Sequence, residues 1–261
     1  MNPFGWGVIG PGNIANKFAG AVAGIDNAQI ISVQGRDATR ASAFAQKWSQ
    51  SGSVNSTTDI DTLLSDDRIA AIYIATPHPF HAAAIERCLA AGKPVLCEKP
   101  LVVNASHGRA VVELARKQNL FLMEAVWTRF LPVYGVVADW LSSGAIGRVR
   151  TIQSSFCFNI PFDPAHRAFD PAQAGGALLD LGIYNLTMTR WALHNAHGKC
   201  PPLQALHASA AIGATGVDNR LSALLDFGDG VTSQFVCGFD TSADNSLEIF
   251  ARYSSHPKIA R

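Results

Sequence analysis

The sequence predicts an α/β fold in two parts: a doubly wound parallel sheet, then an α/β region built on an open, mainly antiparallel sheet. Three observations carry this. Short apolar strands alternate with helices as far as Glu124. A glycine turn, Gly10-Pro11-Gly12, joins the first strand to the first helix. Beyond Gly147 the strands lengthen, their side chains alternate, and a tight hairpin joins two of them. Repeated βα units make a parallel sheet with helices on both faces, whereas alternation with hairpins makes an antiparallel sheet with one face buried.

In chain order, Gly5 to Ile9 reads as a strand ending at the glycine turn, and Asn13 to Ala23 as a helix. Ala28 to Gln34 is a strand, Thr39 to about Ser49 a helix, and Gln50 to Ser53 a polar loop. Asp59 has the side chain to cap a short helix to Ser65. Ile69 to Ala75 is continuously apolar, as a doubly covered strand requires. A helix from Pro79 to Ala91, a strand from Pro94 to Cys97, a helix capped by Asn104 and ending near Gln118, and a strand from Leu120 to Glu124 complete the first part. Val149 to Phe158 opens the second part. A long helix from Gly175 to about His194 follows, then strands Leu206 to Ile212, Asn219 to Phe227 and Val231 to Asp240. Leu221, Ala223, Leu225 and Phe227 share one face of their strand, as do Ser233, Phe235, Cys237 and Phe239 of theirs. Asp229-Gly230 supplies the positive φ of the hairpin between them. The expected domains are residues 1–124 and 125–261, with the helix around Pro132 to Ser143 as the hinge region.

The chain has 261 residues, 48% hydrophobic and 16% charged, with a formal net charge of +1. That balance supports a real core and leaves no electrostatic footprint for nucleic acid or an acidic membrane surface. The five cysteines (Cys88, Cys97, Cys157, Cys200 and Cys237) are odd in number and scattered, as expected of reduced thiols in an intracellular protein. No apolar run has the length of a membrane span, and the first strand begins without a secretion signal, so a cytoplasmic location is expected.

Gly10-Pro11-Gly12-Asn13-Ile14-Ala15 follows a strand and opens a helix, the context in which such a turn binds a dinucleotide. Gly10 turns the chain, Gly12 lets the backbone approach a pyrophosphate, and Ala15 lets helix and strand pack closely. The phosphates then sit on the helix N–H groups near Asn13 and Ile14. At the end of the second strand, Gly35-Arg36-Asp37 offers a guanidinium to a 2′-phosphate, with Asp37 read as the cap of the next helix. NADP is therefore expected over NAD. Thr76-Pro77-His78-Pro79-Phe80-His81 ends another parallel strand, where open α/β sheets bind ligands. His78 with His81, and His194 with His197 and Cys200, have metal-ligand spacing but lack obvious further ligands, so capping and hydrogen bonding are expected and no metal. Asp180 and Tyr184 lie four residues apart on one helical face. With Lys99 they point to hydride chemistry on an alcohol.

These motifs, with Ala75-Thr76-Pro77-His78, Ala91-Gly92-Lys93-Pro94-Val95-Leu96-Cys97-Glu98-Lys99-Pro100 and Gly175-Gly176-Ala177-Leu178-Leu179-Asp180, resemble the Gfo/Idh/MocA oxidoreductase family in order and spacing. Leu122 to Phe130 and Asp180-Leu181-Gly182-Ile183-Tyr184 resemble its dimeric dihydrodiol dehydrogenase and NADP-dependent D-xylose dehydrogenase branch. The resemblance implies a Rossmann domain, an open-sheet domain, NADP(H), and a sugar or cyclic diol substrate such as D-xylose, another aldose or a trans-dihydrodiol. It places Lys99 beside the nicotinamide ribose and makes Tyr184, a histidine in many relatives, the acid/base. A free tyrosine titrates near pH 10, so work near neutrality requires a shift worth about 4 kcal/mol. One ammonium about 4 Å away at an effective dielectric of about 20 supplies roughly that, which gives Lys99 its role. Asp180 would orient substrate or Lys99, and is expected to be paired with a cation or hydrogen-bonded so that its charge does not raise the phenol's pKa.

The expected cofactor contacts are Gly10, Gly12, Asn13, Ile14, Arg36, Thr76, His78, His81, Glu98 and Lys99. Trp127, Arg129, Phe156, Phe158, Arg167 and Phe169 are expected to line the substrate cleft. Past Phe250 the text from Ala251 to Arg261 is unlike the family, so a C-terminally truncated or frame-shifted chain is expected, with an exposed sheet edge. A complete chain would form a homodimer through the open sheet. The alternative is a non-catalytic, NADP-binding, sugar-responsive regulator.

Overall fold

The computed structural model describes residues 3–49 and 53–252. The chain divides into two compact units, one ending at Ala125 and one starting at Val126.

The first unit is a six-stranded parallel sheet. Its elements are β1 (Phe4–Ile9), α1 (Asn13–Ala23), β2 (Ala28–Gln34), α2 (Ala38–Trp48), β3 (Asn55–Thr57), α3 (Ile60–Leu64), β4 (Ala71–Ile74), α4 (His81–Ala90), β5 (Val95–Cys97), α5 (Ala105–Lys117) and β6 (Leu122–Glu124). The strand order is β3-β2-β1-β4-β5-β6, reversing beside β1 as a doubly wound sheet does. Pleating splits the strand residues between two cores. Val8, Val33 and Tyr73 face α1 and α2, with Ala15, Ala19 and Phe44. Ile9, Ile72 and Ile74 face the other side, with Leu63, Ile85 and Val111. The caps read from the sequence form: Asp59 accepts from the amides of Asp61 and Thr62, and Asn104 from that of His107. β3 was not expected, because three polar residues carry no period; it pairs in register with β2 from Ser32 to Gln34. Residues 50–52 of the expected loop lie outside the described residues.

The second unit contains α6 (Pro132–Ser142), β7 (Arg148–Cys157), α7 (Ile183–His197), β8 (Ala205–Ile212), β9 (Asp218–Asp226), β10 (Thr232–Gly238) and β11 (Leu247–Arg252). The sheet order is β11-β7-β10-β9-β8. It is mixed rather than purely antiparallel, since β7 and β10 run parallel. Phe227, Ala223 and Leu225 of one strand and Ser233, Phe235, Cys237 and Phe239 of the next turn inward, as their alternation requires. The hairpin carries positive φ at Gly228, Asp229 and Gly230. The β7–β11 ladder skips Arg150, pairing Phe250 with Thr151 and Ala251 with Val149. That bulge lets both Val149 and Ile152 reach the core.

α6 lies within the second unit. One expectation is corrected. The long helix does not start at Gly175: Leu178–Gly182 is a π-helical turn and the α-helix begins at Ile183. β11 was also unexpected, and it runs on through Ala251 and Arg252; residues 253–261 lie outside the described residues.

Candidate active site

In the first unit the glycine turn is shaped for a ligand. Gly10 has φ +95°, and a Cβ there would meet the Ala75 carbonyl at 2.8 Å. At Gly12, which precedes α1 without a side-chain cap, a Cβ would meet nothing within 4 Å among the described residues. An uncapped helix start facing open space leaves its first amides available to an anion. Thr76, just past the end of β4, has a buried hydroxyl with no hydrogen-bond partner among the described residues. These features fit the pyrophosphate and ribose of a dinucleotide.

The end of β2 completes this half. A Cβ on Gly35 would lie 2.8 Å from Pro11, so glycine lets the strand end approach the turn. Asp37 accepts from the amides of Thr39 at 2.8 Å and Arg40 at 3.1 Å. It is therefore the cap of α2. Arg36 lies with its Cζ 5.2 Å from the centroid of the Phe80 ring.

The turn carrying Lys99 is held at every neighbouring residue. Ala125 donates its amide to the Cys97 carbonyl at 2.7 Å, and Glu98 donates its amide to that of Ile74 at 2.9 Å. The Glu98 carboxylate accepts from the Tyr73 hydroxyl at 2.6 Å and from the Lys99 amide at 3.3 Å. Glu124 accepts from the Leu101 amide at 2.7 Å. Burial raises the Glu124 carboxyl above its ordinary value. Burial, then the charge of Glu98, pushes the Tyr73 phenol far up, so Tyr73 serves as a donor and not as a base.

His81 requires a correction. It is 0% exposed, and its Nδ1 and Nε2 lie 2.8 Å from the carbonyl oxygens of Pro100 and Thr76. Both nitrogens face backbone carbonyls, one of which the neutral ring bonds, and the side chain has no exposed surface to offer, so it is not a cofactor contact. It ties the loop after β4 to the turn after β5. Glu98 likewise turns its carboxylate inward. His78 is buried and packs its ring edge-on against His81. Among the described residues no cluster of three or more His, Cys, Asp or Glu is placed to hold a metal.

In the second unit, Gly175 and Gly176 are required by close approach. A Cβ on Gly175 would lie 2.6 Å from the Ala168 carbonyl oxygen, and one on Gly176 would lie 2.2 Å from Asp218 Oδ1. Gly176 also has φ +115°. Asp218 accepts from the Leu178 amide at 2.7 Å and so anchors the start of the π turn. Burial raises its carboxyl above the ordinary value. Gly182 presses the helix onto β10, where a Cβ would lie 3.1 Å from the Cys237 sulfur. The first turn of this helical segment thus has a fixed position.

That segment carries Asp180 and Tyr184. Asp180 is buried and pairs with Arg167 Nη2 at 3.1 Å, the cation its position demands. Tyr184 is 9% exposed and packs with Val126, Met188 and Phe156. The rings of Tyr184 and Phe156 lie 4.6 Å apart, and Phe156 meets Phe158 edge-on at 5.2 Å. Phe158, Arg167, Trp127 and Arg129 carry exposed surface. Phe169 is the second correction: at 2% exposure, packed on Phe239 and Phe162, it is core and does not line a cleft.

Sequence reasoning missed Asp218, Tyr73 and the role of Glu124. Asp218 has no local signal, because the amide it holds lies 40 residues away. Tyr73 is a lone phenol in an apolar strand, a signal in hindsight for a polar partner at its end.

The comparisons agree with this architecture. Residues 4–126 match the model of an oxidoreductase family with an NAD-binding Rossmann fold, and residues 134–253 that of a GFO/IDH/MocA C-terminal domain. The trans-1,2-dihydrobenzene-1,2-diol dehydrogenase of Mus musculus is 40% identical over 94% of this chain and 71% of its own length. The human protein of that name is 37% identical over the same shares. Among solved structures, a 3-ketoreductase from Actinomadura kijaniata, in complex with NADP and TDP-benzene, superposes with a TM-score of 0.80 at 29% identity, covering 96% of this chain and 74% of that one. A protein from gentamicin A biosynthesis in complex with NAD shares the fold, with a TM-score of 0.82 at 24% identity over 96% of this chain and 72% of that one.

Proposed function

The chain belongs to the Gfo/Idh/MocA oxidoreductase family, and from that premise we propose that it transfers hydride between NADP(H) and a ring carbinol. The substrate is a trans-dihydrodiol or an aldose of D-xylose size. Identity to the dihydrodiol dehydrogenases supports the diol first.

The bound nicotinamide supplies the hydride acceptor. The chain's own task is the proton. Tyr184, as phenolate, takes the hydroxyl proton of the carbinol while hydride leaves the same carbon, and returns it in the reverse direction. Lys99 favours the phenolate. Asp180 orients the substrate hydroxyls, and its charge is balanced by Arg167. Trp127, Arg129, Phe156 and Phe158 form the substrate wall.

The observation that carries this reading is the Arg167–Asp180 pair one turn before a buried Tyr184. An unpaired carboxylate there would raise the phenol's pKa and oppose its use as a base. For the cofactor, NADP is favoured because Asp37 is spent on the α2 cap and Arg36 carries no competing carboxylate at its own position.

The test is reduction of NADP⁺ and NAD⁺ by the purified protein across a panel of aldoses and trans-benzene dihydrodiol. Turnover with NADP⁺, faster than with NAD⁺, is expected for at least one. Cofactor binding without turnover on any member would overturn the catalytic reading in favour of a regulator.

A further inference from the structure

We propose that Phe80 sets cofactor preference by holding Arg36 as the reader of a ribose 2′-phosphate. This rests on the NADP reading above and extends it to a residue on a different loop.

Four observations converge. The Arg36 guanidinium lies over the Phe80 ring, 5.2 Å from its centroid. The ring is 44% exposed, so the core does not claim it. It stands on a short helical turn, His78–Phe80, whose Phe80 amide bonds the Pro77 carbonyl at 3.0 Å. The next residue, His81, is locked by two carbonyls. Phe80 is thus a platform with a fixed base, while Arg36 is a surface side chain on the loop leaving β2.

The chemistry of the pair selects the ligand. A guanidinium above a ring is attracted by the π face and keeps its in-plane N–H edges outward. Those edges match the oxygens of a phosphate monoester. A bare ribose 2′-hydroxyl is best read by an acceptor, which a guanidinium lacks. The nearest acceptor on the loop, Asp37, already accepts two backbone amides of α2. Holding Arg36 in place lowers the rotamer entropy lost when phosphate binds. NAD, with nothing for Arg36 to bind, gains nothing from the platform.

The experiment measures Kd for NADPH and NADH by nicotinamide fluorescence in the parent, Arg36→Ala, Phe80→Leu, Phe80→Tyr and the Arg36→Ala/Phe80→Leu double variant. Phe80→Leu is expected to weaken NADPH about three- to fivefold, the scale of an exposed cation–π contact, and to leave NADH unchanged. Phe80→Tyr, which keeps the ring, retains the parent value. Arg36→Ala weakens NADPH more, and the double variant is no weaker than Arg36→Ala alone. If Arg36→Ala weakens NADPH but Phe80→Leu does not, the platform is wrong and the NADP reading stands. Equal losses for NADPH and NADH on Phe80→Leu, or additive losses in the double variant, also overturn it. If Arg36→Ala changes neither affinity, the NADP reading falls and the platform falls with it.

Discussion

A fully buried imidazole with a carbonyl oxygen on each nitrogen can bond only one of them while neutral. His81 is in that position, between Thr76 and Pro100. Burial holds its pKa below the ordinary value, against the pull of the two carbonyls and of Glu98. The sign of its pH effect follows. The unfolded chain binds a proton near pH 6.5 that folded His81 accepts only at lower pH, so its contribution to stability falls as pH drops below about 6.5. His81→Phe keeps the ring's bulk, removes the one hydrogen bond the neutral ring donates to a buried carbonyl, and is expected to cost about 1–3 kcal/mol at pH 8. The cost should shrink toward pH 5, as measured by urea unfolding at several pH values. It should also raise Kd for NADPH, because the loops it ties carry Thr76 and Lys99. The sequence marked His81 as a residue for the site and left hydrogen bonding open, yet nothing local said that its partners were backbone oxygens 5 and 19 residues away. That Asp180 needed a cation or a hydrogen bond was legible from electrostatics alone; that Arg167 would supply the cation was not.

Among the elements, the segment from Gly175 to His197 is the most constrained. Its glycines were legible as a motif, but their cause lay in Asp218 and Ala168, which only the fold brings near. A strand and a helix boundary can be read from caps and periods, as at Asp59 and Asn104, because those signals are local. The π turn has no such signal, and the helix was read as beginning too early. Gly176→Ala combines a disfavoured positive φ with a clash against Asp218, and is expected to lower Tm by about 6 °C or more. Asp218→Ala in the same chain removes the clash but not the strain, and takes away the acceptor of the Leu178 amide. The two losses should therefore be less than additive in thermal denaturation, with the double variant below the parent. A Gly176→Ala variant with the parent's Tm would show that the close approach to Asp218 is not a constraint.

For the whole molecule, four of the five free cysteines are buried, and burial pushes the thiols of Cys88 and Cys237 up to about 12. They act as small core residues, and mild alkylation should leave them unmodified in the folded protein, as read by mass spectrometry. Among the described residues no helix is long and apolar enough to cross a membrane. The outward face of the second sheet presents Ser155, His207, Ser209, Ser222, Leu224 and Gln234, a broad shallow surface of small polar groups around an apolar centre. The two-sheet architecture was legible because both periods, strand–helix alternation and pleat alternation, run along the chain. The parallel β7–β10 pair was not, because pairing between distant strands leaves no mark on either. The central claim is that a phenol moves the proton. Its most direct test is kcat of Tyr184→Phe for NADP⁺ reduction, measured beside Kd for NADPH. The account predicts a fall of about a hundredfold or more with Kd unchanged; turnover within a few-fold of the parent would contradict it.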